Sequence, residues 1–300
     1  MASAMYRHDG FQSTTHEGLR QNLFPMRLYH KAKKLGTWDP CSLDFGKDQE
    51  DWKKFSPEEQ ETFIRLCSLF VAGEESVTRD LLPLMMVISQ EGRVEEEMFL
   101  TTFLWEEAKH TEFFRRFLDE VVKDTSDLSR FHSPHYRTVF YEELPKAMFA
   151  LLSDPSPEAM ARAAVTYHMI VEGVLAETGY QAFFDVIEAR NVTPGLKEGI
   201  GLLKRDESRH IAWGVYLLSR LIAEHPSVWD VIQERMGELW PHAIGVVNEL
   251  FEGKPTNALG QSLDDFIHYA QEQFATRMDR IELARNKSLS SIEQVLEEGV

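Results

Sequence analysis

Two cysteines in 300 residues, Cys41 and Cys67, are too few and too far apart for a disulfide framework or a thiolate metal site. Any metal held by this chain must be taken by oxygen and nitrogen donors, and the scarcity of cysteine suits a reducing cytoplasm. No segment offers about 18 uninterrupted apolar residues, which excludes a helical membrane span. The stretch from Met1 to Arg20 is polar and has no apolar run resembling a signal peptide. Basic residues are in deficit, 32 Lys and Arg against 49 Asp and Glu, and the formal net charge of -17 argues against a polyanionic partner such as nucleic acid. No Gly/Ser-rich or Pro-rich linker divides the middle, so residues 1–300 read as one domain, and 43% hydrophobic content can bury a sizeable core. Alternating strand patterns of useful length are missing too, which leaves an all-α fold.

What the chain has is helical patterning. Residues 1–55 carry the breakers Gly10, Pro25, Gly36 and Pro40 and read as an irregular arm with one short helix around 26–34. Ser56-Pro57-Glu58-Glu59 then joins an N-cap serine, a proline at the first helical position and a capping-box glutamate. Apolar residues Phe63, Leu66, Phe70, Val77, Leu81 and Leu84 keep the helical period to about Gln90, with a kink expected at Pro83. Further helices are predicted over 94–122, 136–152, 157–190, 194–224, 227–252 and 263–286, with a loosely held tail over 287–300.

Two copies of one phrase stand out, Trp105-Glu106-Glu107-Ala108-Lys109-His110 and Arg205-Asp206-Glu207-Ser208-Arg209-His210. In each a glutamate precedes a histidine by three positions, and three helical residues turn through about 300°, so both side chains leave one face. Four-helix carboxylate proteins build a dimetal site this way, two helices each giving a Glu-x-x-His pair and two others a single glutamate. Glu106 and Asp206 also lie within a turn of the histidines, and the repeated glutamate at minus three selects Glu107 and Glu207 over them. Phe103, Phe113, Phe114, Phe117, Ile211, Trp213 and Val215 argue that these helices pack inward and are not merely salt-bridged surface helices.

Glu172 is the candidate on a third helix, because an apolar setting from Met169 to Ala176 makes an unpartnered carboxylate costly. Glu177, about 140° further round an α-helix, is the spare. On the remaining helix Glu74 shares the stripe of Phe70, Val77 and Leu81, which leaves Glu75 as a surface residue or an outer contact of the site. Four carboxylates balance two divalent ions, and hard oxygen donors with one imidazole per ion suit iron or manganese and disfavour copper(I). Donor types alone do not separate Fe/Fe from Mn/Fe.

Over about residues 25–250 the chain resembles the small, metal-bearing subunit of ribonucleotide reductase, and more closely the ligand-binding oxidases related to it. The resemblance is carried by Ala72-Gly73-Glu74-Glu75-Ser76-Val77-Thr78, Phe99-Leu100-Thr101-Thr102-Phe103, Glu107-Ala108-Lys109-His110, Tyr167-His168-Met169-Ile170-Val171-Glu172-Gly173 and Asp206-Glu207-Ser208-Arg209-His210. It implies a ferritin-like four-helix core with additional helices, a homodimer, and a cofactor of one Mn and one Fe ion, with two Fe as the alternative. It also implies dioxygen as co-substrate, a long-chain fatty acid at the metals and an ether link between Tyr167 and Val77. Val77 stands three residues after Glu74, hence over the site. Tyr167 stands five before Glu172, not the same face of an ideal helix, so its placement rests on the resemblance.

Two departures separate the chain from the reductase subunit: Phe114 occupies the radical-tyrosine position, and no tyrosine follows Tyr269. Trp38 and Asp206 resemble the reductase pair that connects a ligand histidine to the surface, with Asp206 accepting from the non-ligating N–H of His110. Phe70, Phe103, Met169 and Leu175 could line an acyl channel or be plain core. The implied activity is an oxidase or oxygenase acting on a long apolar substrate, fed by an unknown electron donor. The alternatives are a radical-generating reductase subunit lacking its radical tyrosine, and a non-catalytic iron- or lipid-binding protein.

Overall fold

The computed structural model describes residues 8, 10–124 and 126–292; the last part of the expected tail, 293–300, lies outside the described residues. Within them Ile292 is already buried against the core. Apart from an isolated bridge between Thr256 and Ser262, all regular structure among the described residues is helical.

The capping box at Ser56 is formed: the Ser56 hydroxyl accepts from the Glu59 N–H, and the Glu59 carboxylate accepts from the Ser56 N–H at 2.7 Å. It opens α3 (Pro57–Asp80), which follows α1 (Phe24–Leu35) and α2 (Gly46–Trp52) in the N-terminal arm. The arm is therefore more regular than expected. Two buried acids on α2 explain why: Asp48 accepts from the N–H groups of Gly195 and Leu196 at 2.9 and 2.7 Å, and Asp51 from that of Thr193 at 3.1 Å. These are orphan donors at the start of α10 (Pro194–Glu224), whose own N-cap residue gives no side-chain cap.

The kink expected at Pro83 interrupts the ladder between α3, which ends at Asp80, and α4, Leu82–Gln90, while Leu81 between them keeps helical dihedrals. A proline has no N–H to continue the ladder and its ring crowds the carbonyl four residues back, so the ladder restarts with Pro83 in the first turn of the new helix. Downstream lie α5 (Val94–Phe117), α6 (Pro134–Arg137) and α7 (Leu144–Ala150). The predicted helix over 157–190 is continuous but not uniform: α8 (Pro157–Ala164) passes into a π-helical segment, Val165–Ala176, before α9 (Glu177–Arg190). The chain then adds α10, α11 (Val228–Leu250) and α12 (Leu263–Glu282).

Four of these elements enclose the centre, and each passes from one apolar cluster to another. Along α3 the sequence is Phe70, Glu74, Val77; along α10 it is Leu203, Glu207, Trp213. Along α5 the order reverses, Phe103, Glu107, Phe113, and so it does from Val171 through Glu172 to Tyr180. A layer of acids and imidazoles is thus clamped between two apolar layers.

Candidate metal centre

The six predicted donors meet in that layer, all of them buried. His110 Nδ1 lies 3.2 Å from Glu207 Oε1, 3.5 Å from Glu74 Oε2 and 3.8 Å from Glu107 Oε2. His210 Nδ1 lies 3.0 Å from Glu107 Oε1, 3.4 Å from Glu207 Oε2 and 3.9 Å from Glu172 Oε1. Glu107 and Glu207 therefore divide their oxygens between the two imidazoles, and Glu74 and Glu172 serve one side each. The result is two overlapping donor sets, Glu74, Glu107, His110, Glu207 and Glu107, Glu172, Glu207, His210.

The donor atoms fit a pair of cations. Both Glu107 oxygens, Glu172 Oε1, Glu207 Oε2 and the Nδ1 atoms of both histidines are buried without a hydrogen-bond partner. An orphaned buried polar atom is destabilising by about 1–3 kcal/mol, more when charged, so six converging on one point call for ions. The electrostatics of the layer agree. Burial, with Glu107 and Glu207 adding repulsion, pushes the Glu74 carboxyl up to about 8, and burial followed by Glu207 raises Glu172 well above the usual range. Burial alone would depress His110, yet Asp206, Glu107, Glu207 and Glu74 outweigh it and hold the imidazole well above its ordinary value.

Each histidine's outer nitrogen is held by the opposite copy of the repeated phrase. Asp206 Oδ2 accepts from His110 Nε2 at 3.4 Å, and Glu106 Oε2 accepts from His210 Nε2 at 2.9 Å. The expected role of Asp206 is thus matched in space, and the reciprocal role of Glu106 is one that spacing did not reveal. Arg209 donates to both acids. Trp38 is also here, its Nε1–H donating to Asp206 at 2.7 Å and its ring stacked 6.3 Å from that of His110. Lys109 reaches Asp206 at 3.1 Å and the carbonyl of Gly36, and its ammonium lies between the rings of Trp38 and Trp105.

The rejected acids lie outside: Glu75 is exposed and faces Arg79, and Glu177 pairs with Lys204 at 3.4 Å. Two neutral donors that sequence reasoning passed over touch the terminal carboxylates. The Tyr180 hydroxyl lies 3.4 Å from Glu74 Oε1, and His168 Nδ1 lies 3.0 Å from Glu172 Oε2. Tyr167, five residues before Glu172, does reach the site. A π-helix bonds i to i+5, so five residues come closer to a full turn than in an α-helix. Its hydroxyl donates to the Val77 carbonyl at 3.0 Å. Burial, then four surrounding glutamates, keeps that phenol well above its ordinary pKa and hence protonated.

An apolar cavity reaches Glu74, Glu107, Glu172 and Glu207. Phe70, Val77 and Leu175 line it, with Phe140, Val171 and Val246. Phe103 and Met169 do not, which corrects their proposed place in a channel. Phe103 instead lies flat on the His210 ring, centroids 3.6 Å apart, and Met169 is wholly core. A helix that turns less per residue aims Met169 away from the neighbours that α-helical spacing would give it.

Four helices that bring two Glu-x-x-His pairs and two single glutamates to one buried point define a ferritin-like protein of the dimetal carboxylate type. The family model described as ribonucleotide reductase, small chain, matches residues 26–282, and the chain belongs to that family. Among solved structures it is similar to R2-like ligand-binding oxidases. One, a tyrosine-to-phenylalanine variant with an anaerobically reconstituted Mn/Fe cofactor, is 42% identical with a TM-score of 0.86, covering 91% of this chain and 98% of its own. An alanine-to-phenylalanine variant with the same cofactor is 41% identical with a TM-score of 0.88, covering 92% and 98%. A glycine-to-leucine variant, 42% identical with a TM-score of 0.87 and coverage of 92% and 98%, holds a non-activated Mn/Mn cofactor. The protein is an oxygen-activating dimetal oxidoreductase. Among the described residues no helix is long and apolar enough to cross a membrane.

Proposed function

We propose that this protein is a ligand-binding oxidase in which Glu74, Glu107, His110, Glu172, Glu207 and His210 hold one Mn and one Fe ion, with two Fe as the alternative loading. The observation that carries the reading is a set of unpartnered buried donors at the inner end of an apolar cavity. When bound, the ions supply electrons to dioxygen and the oxidising power to attack an unactivated C–H bond.

The chain's own residues do the rest. Asp206 and Glu106 take the outer N–H of each imidazole, which fixes the tautomer and leaves Nδ1 to the ions. Phe70, Phe140, Val171 and Leu175 shed water from the cavity and fit the tail of a long-chain fatty acid, whose carboxylate would face the acids' end where the ions sit. Tyr167 holds its hydroxyl over Val77, so that an ether bond can form between the phenolic oxygen and the Val77 β-carbon. That bond costs the phenolic O–H and one C–H, and the two electrons and two protons released pass to dioxygen. Phe114, stacked on Phe70 at 4.9 Å, carries no hydroxyl to store a radical, which favours oxidation near the cavity over radical export to a reductase partner. The working unit in this reading is a homodimer.

The test is anaerobic loading with Mn(II) and Fe(II), admission of dioxygen, then peptide mapping and lipid extraction with mass spectrometry. Two ions per chain, a Val77–Tyr167 cross-linked peptide lighter by two hydrogens, and a co-purifying fatty acid are expected. An uncross-linked chain with an empty cavity and fewer than two ions would overturn the reading.

A further inference from the structure

His168 is a histidine where an apolar residue would be expected. It is fully buried, within the run Val165–Val174 in which every residue is buried, and its Nδ1 lies 3.0 Å from Glu172 Oε2. Its other nitrogen, Nε2, has no partner. A neutral imidazole carries one N–H, and the nitrogen with an acceptor in reach is Nδ1. Once an ion has displaced the proton from Glu172 its carboxylate oxygen can only accept, and in that state His168 donates and Glu172 receives.

The ring is walled in. Trp213 meets it edge-on with centroids 5.1 Å apart, Phe103 at 5.6 Å, and Tyr167 is tilted at 4.6 Å. Beneath it is Gly214, where an added Cβ would stand 2.3 Å from His168 Cβ and 2.6 Å from Cγ. The π-helical course of this segment and the missing side chain at Gly214 together make room for one ring in one orientation. The other oxygen of Glu172, Oε1, has no hydrogen bond and faces His210 Nδ1 at 3.9 Å.

We propose that His168 is the positioning residue for Glu172: its N–H occupies one carboxylate oxygen and leaves the other alone to meet an ion. Glu172 would then offer an ion one oxygen, Oε1, while Oε2 stays engaged with His168. Glu74 is held more loosely, by the Tyr180 hydroxyl at 3.4 Å, so the two terminal glutamates differ in how firmly one oxygen is kept from the ions. The proposal rests on Glu172 being a metal ligand.

The experiment compares wild type, His168→Asn and His168→Phe, each loaded with manganese and iron. Asparagine can place an amide N–H near the position of Nδ1, and phenylalanine keeps the ring but not the donor. Metal titration, iron Mössbauer spectra and crystal structures of the loaded proteins are the readouts. Wild type and His168→Asn are expected to bind two ions with one Glu172 oxygen on the metal. His168→Phe is expected to chelate through both oxygens, with a shifted iron quadrupole splitting and affinity for one ion changed about 10–100-fold, the usual range for such outer contacts. A phenylalanine variant with wild-type spectra and one-oxygen binding would overturn the proposal. So would a loaded wild-type structure in which Glu172 chelates and His168 stands beyond hydrogen-bond reach, a measurement that requires no variant to fold. A wild-type centre that takes two ions without Glu172 would instead sink the ligand assignment beneath it.

Discussion

One half of the centre is joined to the surface by polar and aromatic contacts and the other is backed by buried rings, although both are built from the same phrase. On the His110 side, Asp206 orients the imidazole and also receives Trp38 and Lys109, whose contacts lead out to the exposed ring of Trp105. On the His210 side, Glu106 orients the imidazole and meets the buried Arg209, Phe103 covers the ring, and Glu172 is backed by His168 on a π-helical segment. The side chains that select the ions are nearly duplicated; the side chains around them are not. Donor type says which ions fit, and the setting separates a half linked to the exposed Trp105 from one packed against buried rings.

The heaviest blow to this contrast is a change that ignores it. Glu107→Ala or Glu207→Ala removes a donor common to both sets, and we expect loss of both metal equivalents and of dioxygen consumption, read by elemental analysis and an oxygen electrode. Next come Glu74→Ala and Glu172→Ala, each expected to remove one equivalent and to abolish oxygen-dependent chemistry, with anomalous diffraction showing opposite halves emptied. Loss of the same ion in both variants would mean that the sets are not divided as described.

Glu106→Gln and Asp206→Asn sharpen the comparison. Both should keep two equivalents, with affinity lowered about 10–100-fold. Asp206→Asn alone should slow reduction of the oxidised centre by an external donor in stopped-flow; equal slowing in Glu106→Gln would dissolve the distinction between the two halves.

A smaller effect is proton linkage. In metal-stripped protein the raised carboxyls Glu74 and Glu172 and the raised imidazoles His110 and His210 make the folded chain bind more protons than the unfolded one near neutrality. Stability should then fall as pH rises from about 5 through the Glu74 value of about 8, whereas metal uptake, which displaces those protons, should strengthen over the same range. Thermal melts with and without metal should diverge with increasing pH; parallel curves would contradict it.

The regular half was the legible half. Glu74, Glu107, His110, Glu207 and His210 stand on α-helix, where stripe and spacing translate directly into direction, and Ser56 announced its helix from four residues. Glu172 was found by chemistry, as an acid too costly to bury alone. Its neighbours were not: Tyr167 needed a family resemblance and His168 went unnoticed, because α-helical angles misplace side chains on a segment wound at a different period. Glu106 was weighed only as a rival ligand, since a contact with a histidine 104 residues away leaves no mark on local spacing. The interruption at Pro83 was expected from the proline itself, whereas the helix α2 was missed because a short element held by two acids capping a distant helix leaves no period to read.

Those two acids give the N-terminal arm a standing its composition conceals. Asp48 and Asp51 cap the helix that bears Glu207 and His210, Gly36 receives Lys109, and Trp38 leans on His110. A shortened protein beginning at the capping box would keep every ligand and still lose the clasp on one end of the centre and the cover on the other. Expression boundaries drawn at residue 56 would therefore remove those contacts together with the core side chains Phe24, Leu28, Phe45 and Trp52, and residues 24–52 belong in any minimal version of this enzyme.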